Sequence, residues 1–452
     1  MPKRNLLLAI VGLAIVAFAV WMGIIKRGRD ATESAALEAA LADAEKAGLY
    51  MSLDRLPNYP DSNDASKAWR TIEEQRPPPR PNRRRSNQQR SVDISKSLSR
   101  TPPSDQDWAQ IEQQLRDSAA QIAAYEKACE ISEWKPSRNY ADGASMLIPE
   151  FTPIGQAFRA FSARAVVLDR AGKFDEALKD LFRIRKLVDQ VATDPLLMGP
   201  AVSAGGCRTL CRTIERIANN HANDAKALSA LLPLVSETKT QDLKIAYATE
   251  FAVLRDVINQ VRSGKAELSQ FIEGAQPGST EEEAAVLEAA KTVSANCNVL
   301  ETLIAKHLAE ISKVAGKGES LGALGDSIMK QAYNSRKIPG HAAAAVILRG
   351  VLVSDVSIGN AADMLDITRF CLTAAIEKLS GRPVAIEQIR KVSRLRETDR
   401  YSSAPFKITF GADKILVYSV GRDLKDDGGK FNEGVLTAKD DRASFLLVFN
   451  DP

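Results

Sequence analysis

Twenty consecutive residues without a charge, Leu6 to Ile25 (LLLAIVGLAIVAFAVWMGII), constrain this chain more than anything else in its sequence. At about 1.5 Å per residue such a helix matches a hydrocarbon core of roughly 30 Å, so the segment is long enough to cross a bilayer. Trp21 falls near its end, where an indole favours the interface, and Lys26, Arg27 and Arg29 follow as a stop. The competing reading is a cleaved export signal, because Lys3 and Arg4 form a basic start and Ala17-Phe18-Ala19 has the small-x-small form of a cleavage site. That site lies inside the apolar run, and cutting there would leave Val20 to Ile25 exposed at the new terminus. An uncleaved anchor is therefore the expectation. Basic residues balance across the segment, but long C-terminal domains translocate largely regardless of charge. The expectation is a single-pass protein of the cell membrane with most of its chain outside the cytoplasm.

The remainder has the composition of folded domains. Of 452 residues 44% are hydrophobic and 26% charged, which allows sizeable cores, and the length beyond the anchor suits two or three domains. With 61 basic and 57 acidic side chains the net charge is only +4, too little to imply a nucleic-acid partner. Five cysteines, Cys129, Cys207, Cys211, Cys297 and Cys371, are too few and odd in number for a disulfide framework. Cys207 and Cys211 share a helix face, but no histidine or second cysteine pair lies at ligand spacing, so they read as buried small residues. His221, His307 and His341 are far apart in sequence and read as structural.

The pattern along the chain is mainly helical. We place the anchor at 1–30, a stalk helix and linker at 31–104, helical regions at 105–235 and 236–360, and a small α+β unit at 361–452. Residues 31–48 are rich in Ala, Leu and Glu and stop at Gly48, predicting a stalk helix, and Pro57 and Pro60 predict an extended connector from Leu53 to Asp64. From Arg76 to Arg90 (RPPPRPNRRRSNQQR) six arginines and four prolines meet no acid, so this stretch cannot bury a core. It is either a solvated linker or a contact for an anionic surface, and it lacks the aromatic residues of a single-strand binder.

Apolar spacing of three, four and seven predicts helices through 105–218, including a pair that meets at Ala171-Gly172. A second pair is predicted from the stripe Leu243, Tyr247, Phe251, Leu254, Ile258, Val261 and from one running Val286 to Ile311. Ser279 and Thr280 before Glu282 and Glu283 predict a capping box at the start of the latter. Gly316, Gly318, Gly322 and Gly325 lack the closing G-K-[ST] of a phosphate loop and read as a connector. After a helix from Asp363 to Leu379, short β-type runs at Phe406 to Phe410, Ile415 to Val420 and Phe445 to Phe449 predict a small antiparallel sheet with a hairpin at Gly411 to Lys414.

Two resemblances attach to these words. RAGKFDEAL, residues 170–178, resembles the turn of a tetratricopeptide helical hairpin, with Gly172 at the turn and Phe174 and Ala177 packing. It covers one repeat, and no second copy stands at that period. Pro405-Phe406-Lys407-Ile408 followed by LVYSVGRDLKDDGG, Leu416 to Gly429, is similar to the C-terminal region of type II secretion pseudopilins over about 70 residues. The same ending below an anchor and a helical middle resembles families of extracytoplasmic proteins from planctomycete bacteria. The departures are an anchor more than 300 residues upstream and no pseudopilin processing site. The resemblance implies a calcium loop, in which Asp423, Asp426 and Asp427 would supply hard oxygen ligands beside Gly428 and Gly429. The spacing is not that of an EF-hand, and a solvated acidic turn is the other reading.

The chain has no G-x-S-x-G, no H-E-x-x-H and no cysteine-histidine pairing, so no enzyme is expected. The expected function is a membrane-held interaction or scaffolding protein whose protein partners the sequence leaves unidentified. A secretion- or pilus-associated component related to pseudopilins is the alternative.

Overall fold

The computed structural model describes residues 29–57, 59, 64–76, 103–236, 243–268, 281–292, 296–315, 322–338, 340–381, 385–398, 404–420, 426, 428 and 444–449. Leu6 to Ile25, residues 77–90 of the arginine-rich stretch, and Ser279 and Thr280 lie outside them. The described chain is mainly helical with one small antiparallel sheet near the C-terminus. Among the described residues no helix is long and apolar enough to cross a membrane.

Two bodies of apolar side chains organise the molecule. The first is built on α2 (Ala65–Glu74), α3 (Asp105–Asp117), α4 (Ala119–Glu130), α5 (Phe151–Arg170), α6 (Phe174–Val191), α7 (Met198–Asn220) and α8 (Ala225–Leu231). The pair α5 and α6 turns where expected: Gly172 takes φ +73°, a left-handed conformation that suits glycine, and the amide of Lys173 returns to the Leu168 carbonyl. Phe161, Leu181, Ile184 and Leu187 fill the space between these helices, all fully buried. Helix α7 packs on both, and Gly206 permits the approach, because a Cβ there would come within 2.5 Å of the Phe158 ring.

Helical spacing overruns the chain in one place within this core. Residues 131–150 hold only a short 3-10 stretch, Tyr140–Ser145, where Pro136, Gly143 and Pro149 interrupt any regular ladder. Residues Leu53 to Arg55 likewise form a single 3-10 turn within the expected extended connector.

The second core comprises α1 (residues 29–46), α9 (Leu243–Arg262), α10 (Glu281–Thr292), α11 (Cys297–Ala315), α12 (Gly322–Asn334) and the first part of α13 (His341–Leu379). Helix α1 does not stand free as a stalk: Ala40, Ala44 and the following Leu49 are buried in this core. The stripe from Val286 to Ile311 belongs to two helices, with Val286, Ala290, Leu300, Ile304, Leu308 and Ile311 all buried. The Asn296 side chain starts the second of them by accepting from the amides of Asn298 (3.0 Å) and Val299 (3.3 Å). The glycine connector also ends sooner than its composition predicts, since α12 begins at Gly322 and includes Gly325.

Helix α13 runs for 39 residues through position 360, where the sequence suggested a boundary. Its start, from Ala342 to Val351, is buried in the second core, and its continuation, from Ala361 to Ala375, in the first. Ile358 packs against both. After α14 (Ile386–Ser393) come β1 (Lys407–Phe410), β2 (Lys414–Tyr418) and β3 (Ser444–Val448), antiparallel in that order. Alternation sends Ile415, Val417, Phe445 and Leu447 into the first core, where β2 and β3 lie against α13.

Candidate functional site

The residues singled out by sequence do not converge. Asp426 is described, while Asp423 and Asp427 lie outside the described residues. The Oδ1 of Asp426 accepts from the Tyr418 hydroxyl at 2.7 Å and from the Gly428 amide at 3.0 Å, and Lys407 Nζ stands 3.9 Å from Oδ2. These donors hold its carboxyl below the usual range. Asp426 thus serves as an acceptor that closes the loop onto β2. Arg76, the first residue of the arginine-rich stretch, pairs with Glu73 at 3.3 Å. Among the described residues no group of three or more His, Cys, Asp or Glu side chains is arranged to hold a metal ion.

The cysteines are free and all but Cys297 are buried. Burial pushes the thiols of Cys129 and Cys211 up to about 12 and that of Cys207 higher, so they remain protonated, small apolar residues. His221 Nε2 lies 2.7 Å from Asp169 Oδ1, with its ring 4.7 Å from that of Phe174, and it ties the end of α7 to the α5–α6 turn.

The strongest concentration of buried charge was not legible from any motif. It joins Arg138 and Glu150 of the irregular segment to Asp194, just after α6, and all three are buried. Arg138 Nη2 donates to Asp194 Oδ2 and lies 3.0 Å from Glu150 Oε1. Asp194 also accepts from Trp134 Nε1 (3.1 Å) and from the Leu196 amide (2.9 Å). Arg70 reaches the edge, with Nε 3.9 Å from Glu150 Oε2 and Nη2 donating to the Ser137 carbonyl at 2.8 Å. The guanidinium of Arg138 lies 5.5 Å from the centroid of Phe151, whose ring in turn stacks on Trp134 at 6.4 Å.

Burial raises the carboxyls of both Glu150 and Asp194, and the Arg138 charge opposes that rise. Neither acid faces solvent, so neither is placed to exchange protons with a bound molecule. Their role is positional. Residues 131–150 have little regular ladder of their own, and this network fixes them against the turn between α6 and α7. Gly199 completes the fit, since a Cβ there would meet the Asp194 Cβ at 2.2 Å.

A second buried acid works the same way. Glu301 on α11 accepts from Arg255 Nε at 2.7 Å and from Arg262 Nη2, both on α9, while Arg255 also donates to the Met51 carbonyl. One carboxylate thereby connects three parts of the second core. No family model matches the sequence, and no curated protein or solved structure matches it.

Proposed function

We propose that the chain is a membrane-anchored interaction or scaffolding protein, held at the bilayer by Leu6 to Ile25 with its helical body outside the cytoplasm. The observation that carries this reading is the seating of α1. Only residues 26–28 separate the apolar segment from a helix whose Ala40 and Ala44 are built into the second core. A fully extended chain covers at most about 3.6 Å per residue, so the folded body is tied within roughly 15 Å of the end of that segment. A tether this short suits a body that works against the membrane. The buried acids Glu150, Asp194 and Glu301 are engaged by arginines that hold the body together, which supports a rigid platform more than a reaction centre.

The secretion-associated reading draws on one observation, that β2 and β3 pack on a long helix. In this chain the start of that helix is buried among Ala342 to Val351 of the second core, and it is therefore not available to enter a filament. The calcium reading keeps Asp423, Asp426 and Asp427 as its ligands. For Asp426 a cation would compete with the Tyr418 hydroxyl and with Lys407.

Fractionation and proteolysis test the main reading. The full chain is expected to stay with membranes through alkaline carbonate extraction, and its body is expected to be cut by protease added from the non-cytoplasmic face. Recovery in the soluble fraction with a new N-terminus near Val20 would overturn the anchor.

A further inference from the structure

The second core has one end at which the anchor must arrive. Arg29, the first described residue of α1, has its Nε 3.1 Å from Glu33 Oε1, and Glu33 Oε2 accepts from Asn296 Nδ2 at 2.6 Å. The backbone of Asn296 abuts the turn before α13: a Cβ on Gly340 would lie 3.2 Å from the Asn296 carbonyl oxygen. Gly340 has φ +89°, so glycine is needed there both for the turn and for the contact. These contacts bring the loop Arg336 to Ile338 to the same end of the body as Arg29.

That loop has an unusual surface. Ile338 is 49% exposed, and Lys337 beside it is exposed. The guanidinium of Arg336 lies over the Tyr333 ring, 4.1 Å from its centroid, and Nη1 donates to the Tyr333 carbonyl at 2.6 Å, which holds the cation in place at low entropic cost. A single exposed isoleucine is ordinary on any surface. An isoleucine flanked by two cations, on the end of the body nearest a twenty-residue apolar segment, is a combination with a physical use. The acid of this cluster, Glu33, is already paired with Arg29 and Asn296 and does not cancel the two cations.

We propose that Arg336, Lys337 and Ile338 form a membrane-contact face that takes anionic lipid headgroups, with Ile338 seated at headgroup level. This deepens the anchor reading and rests on it. The occupant follows from reach and charge. Arg29 stands four residues after Ile25, within about 15 Å of extended chain, so bilayer surface is present at high local concentration wherever the anchor is inserted. Each basic side chain near an anionic surface shifts the contact equilibrium by about fivefold. The face converts a one-point tether into a fixed orientation of the body, which determines which helices point away from the membrane.

The test uses the full chain in nanodiscs of phosphatidylcholine or of an equal mixture of phosphatidylcholine and phosphatidylglycerol. An environment-sensitive fluorophore is attached at Ile338→Cys, with the labelled parent subtracted for Cys297, and at Val392→Cys as a control on the other core, where Val392 is 67% exposed. The expected result is blue-shifted emission at 338, quenched by headgroup-level spin-labelled lipid, with neither effect at 392. Replacing Arg336 and Lys337 by alanine should weaken the contact at 338 in the anionic discs by about fivefold per charge. Water-like emission at 338 in discs that retain the protein would overturn the contact face and leave the anchor standing. Loss of the protein from the discs would overturn both. Equal shielding of 338 in a lipid-free amphipathic polymer would mark a protein contact instead and also overturn the proposal.

Discussion

Asp194 receives an indole N–H, a backbone amide and a guanidinium, and Arg138 faces a second buried acid, Glu150, beyond it. Removing one member of such a network leaves the others charged and buried, which costs about 3–5 kcal/mol. Asp194→Ala is expected to lower the unfolding free energy by that amount in urea titration, whereas Asp194→Asn, which keeps the shape and two acceptor positions, should cost less. Glu250 on α9 poses a different problem. It is half-buried, and loss of hydration pushes its carboxyl up to about 7. A raised carboxyl holds its proton in the folded chain after the unfolded chain has released it, so between about pH 4.5 and 7 its contribution falls as pH rises. Glu250→Gln is therefore expected to raise the melting temperature at pH 8 relative to the parent and to lessen the difference between pH 5 and pH 8. A larger gap at pH 5 than at pH 8 would refute this. Neither role is visible in the sequence, because an acid in a helix reads the same whether it meets water, an arginine or an apolar wall.

The sheet has β3 at one edge, and its outward backbone is closed by side chains of α7. Glu215 Oε1 accepts from the Leu446 amide at 3.0 Å, Asn219 Oδ1 from the Val448 amide at 2.9 Å, and Asn219 Nδ2 donates to the Leu446 carbonyl at 2.8 Å. Residues four apart on a helix lie on one face, and alternate residues of a strand point their amides the same way, so a polar pair on α7 matches the strand repeat. An edge closed in this manner cannot template pairing with another chain. Asn219→Ala leaves a donor and an acceptor unsatisfied, and amide exchange at Leu446 and Val448 is expected to quicken by about tenfold or more. Between helices the limiting feature is space. Gly206→Ala forces a Cβ against the Phe158 ring and should destabilise by about 1–3 kcal/mol, read from the denaturation midpoint. The strands were legible from alternation and the helices from apolar stripes. The break at Asn296 was not, because Val286 and Ile311 keep a helical repeat on both sides of it while the backbone stops and restarts.

Helix α13 makes one object of two cores, with Ile358 against both and Arg208 Nη1 of α7 donating to Ser357 Oγ at 2.7 Å near the crossing. Because the two bodies share a single hydrogen-bonded rod, the described chain is expected to unfold in one calorimetric transition. Ser357→Pro removes an interior helix bond and clashes with the preceding turn, at about 3 kcal/mol or more, and should split that transition in two. A single transition in the variant would show that contacts elsewhere couple the cores. The sequence by itself determined the local states: a helix where the apolar period is 3.6, strands where it is two, a turn at Gly172 where only a left-handed residue fits, and twenty uncharged residues before the body. These follow from forces acting over a few residues. Which faces meet was decided only in the tertiary structure. That α1 is core and no stalk, that Arg138 finds Asp194, and that one helix serves both cores all depend on burial against partners distant in sequence, which no local pattern encodes. The anchor remains a matter of sequence, and the structure adds the neighbour it must have: a folded body that begins within a few residues of the bilayer.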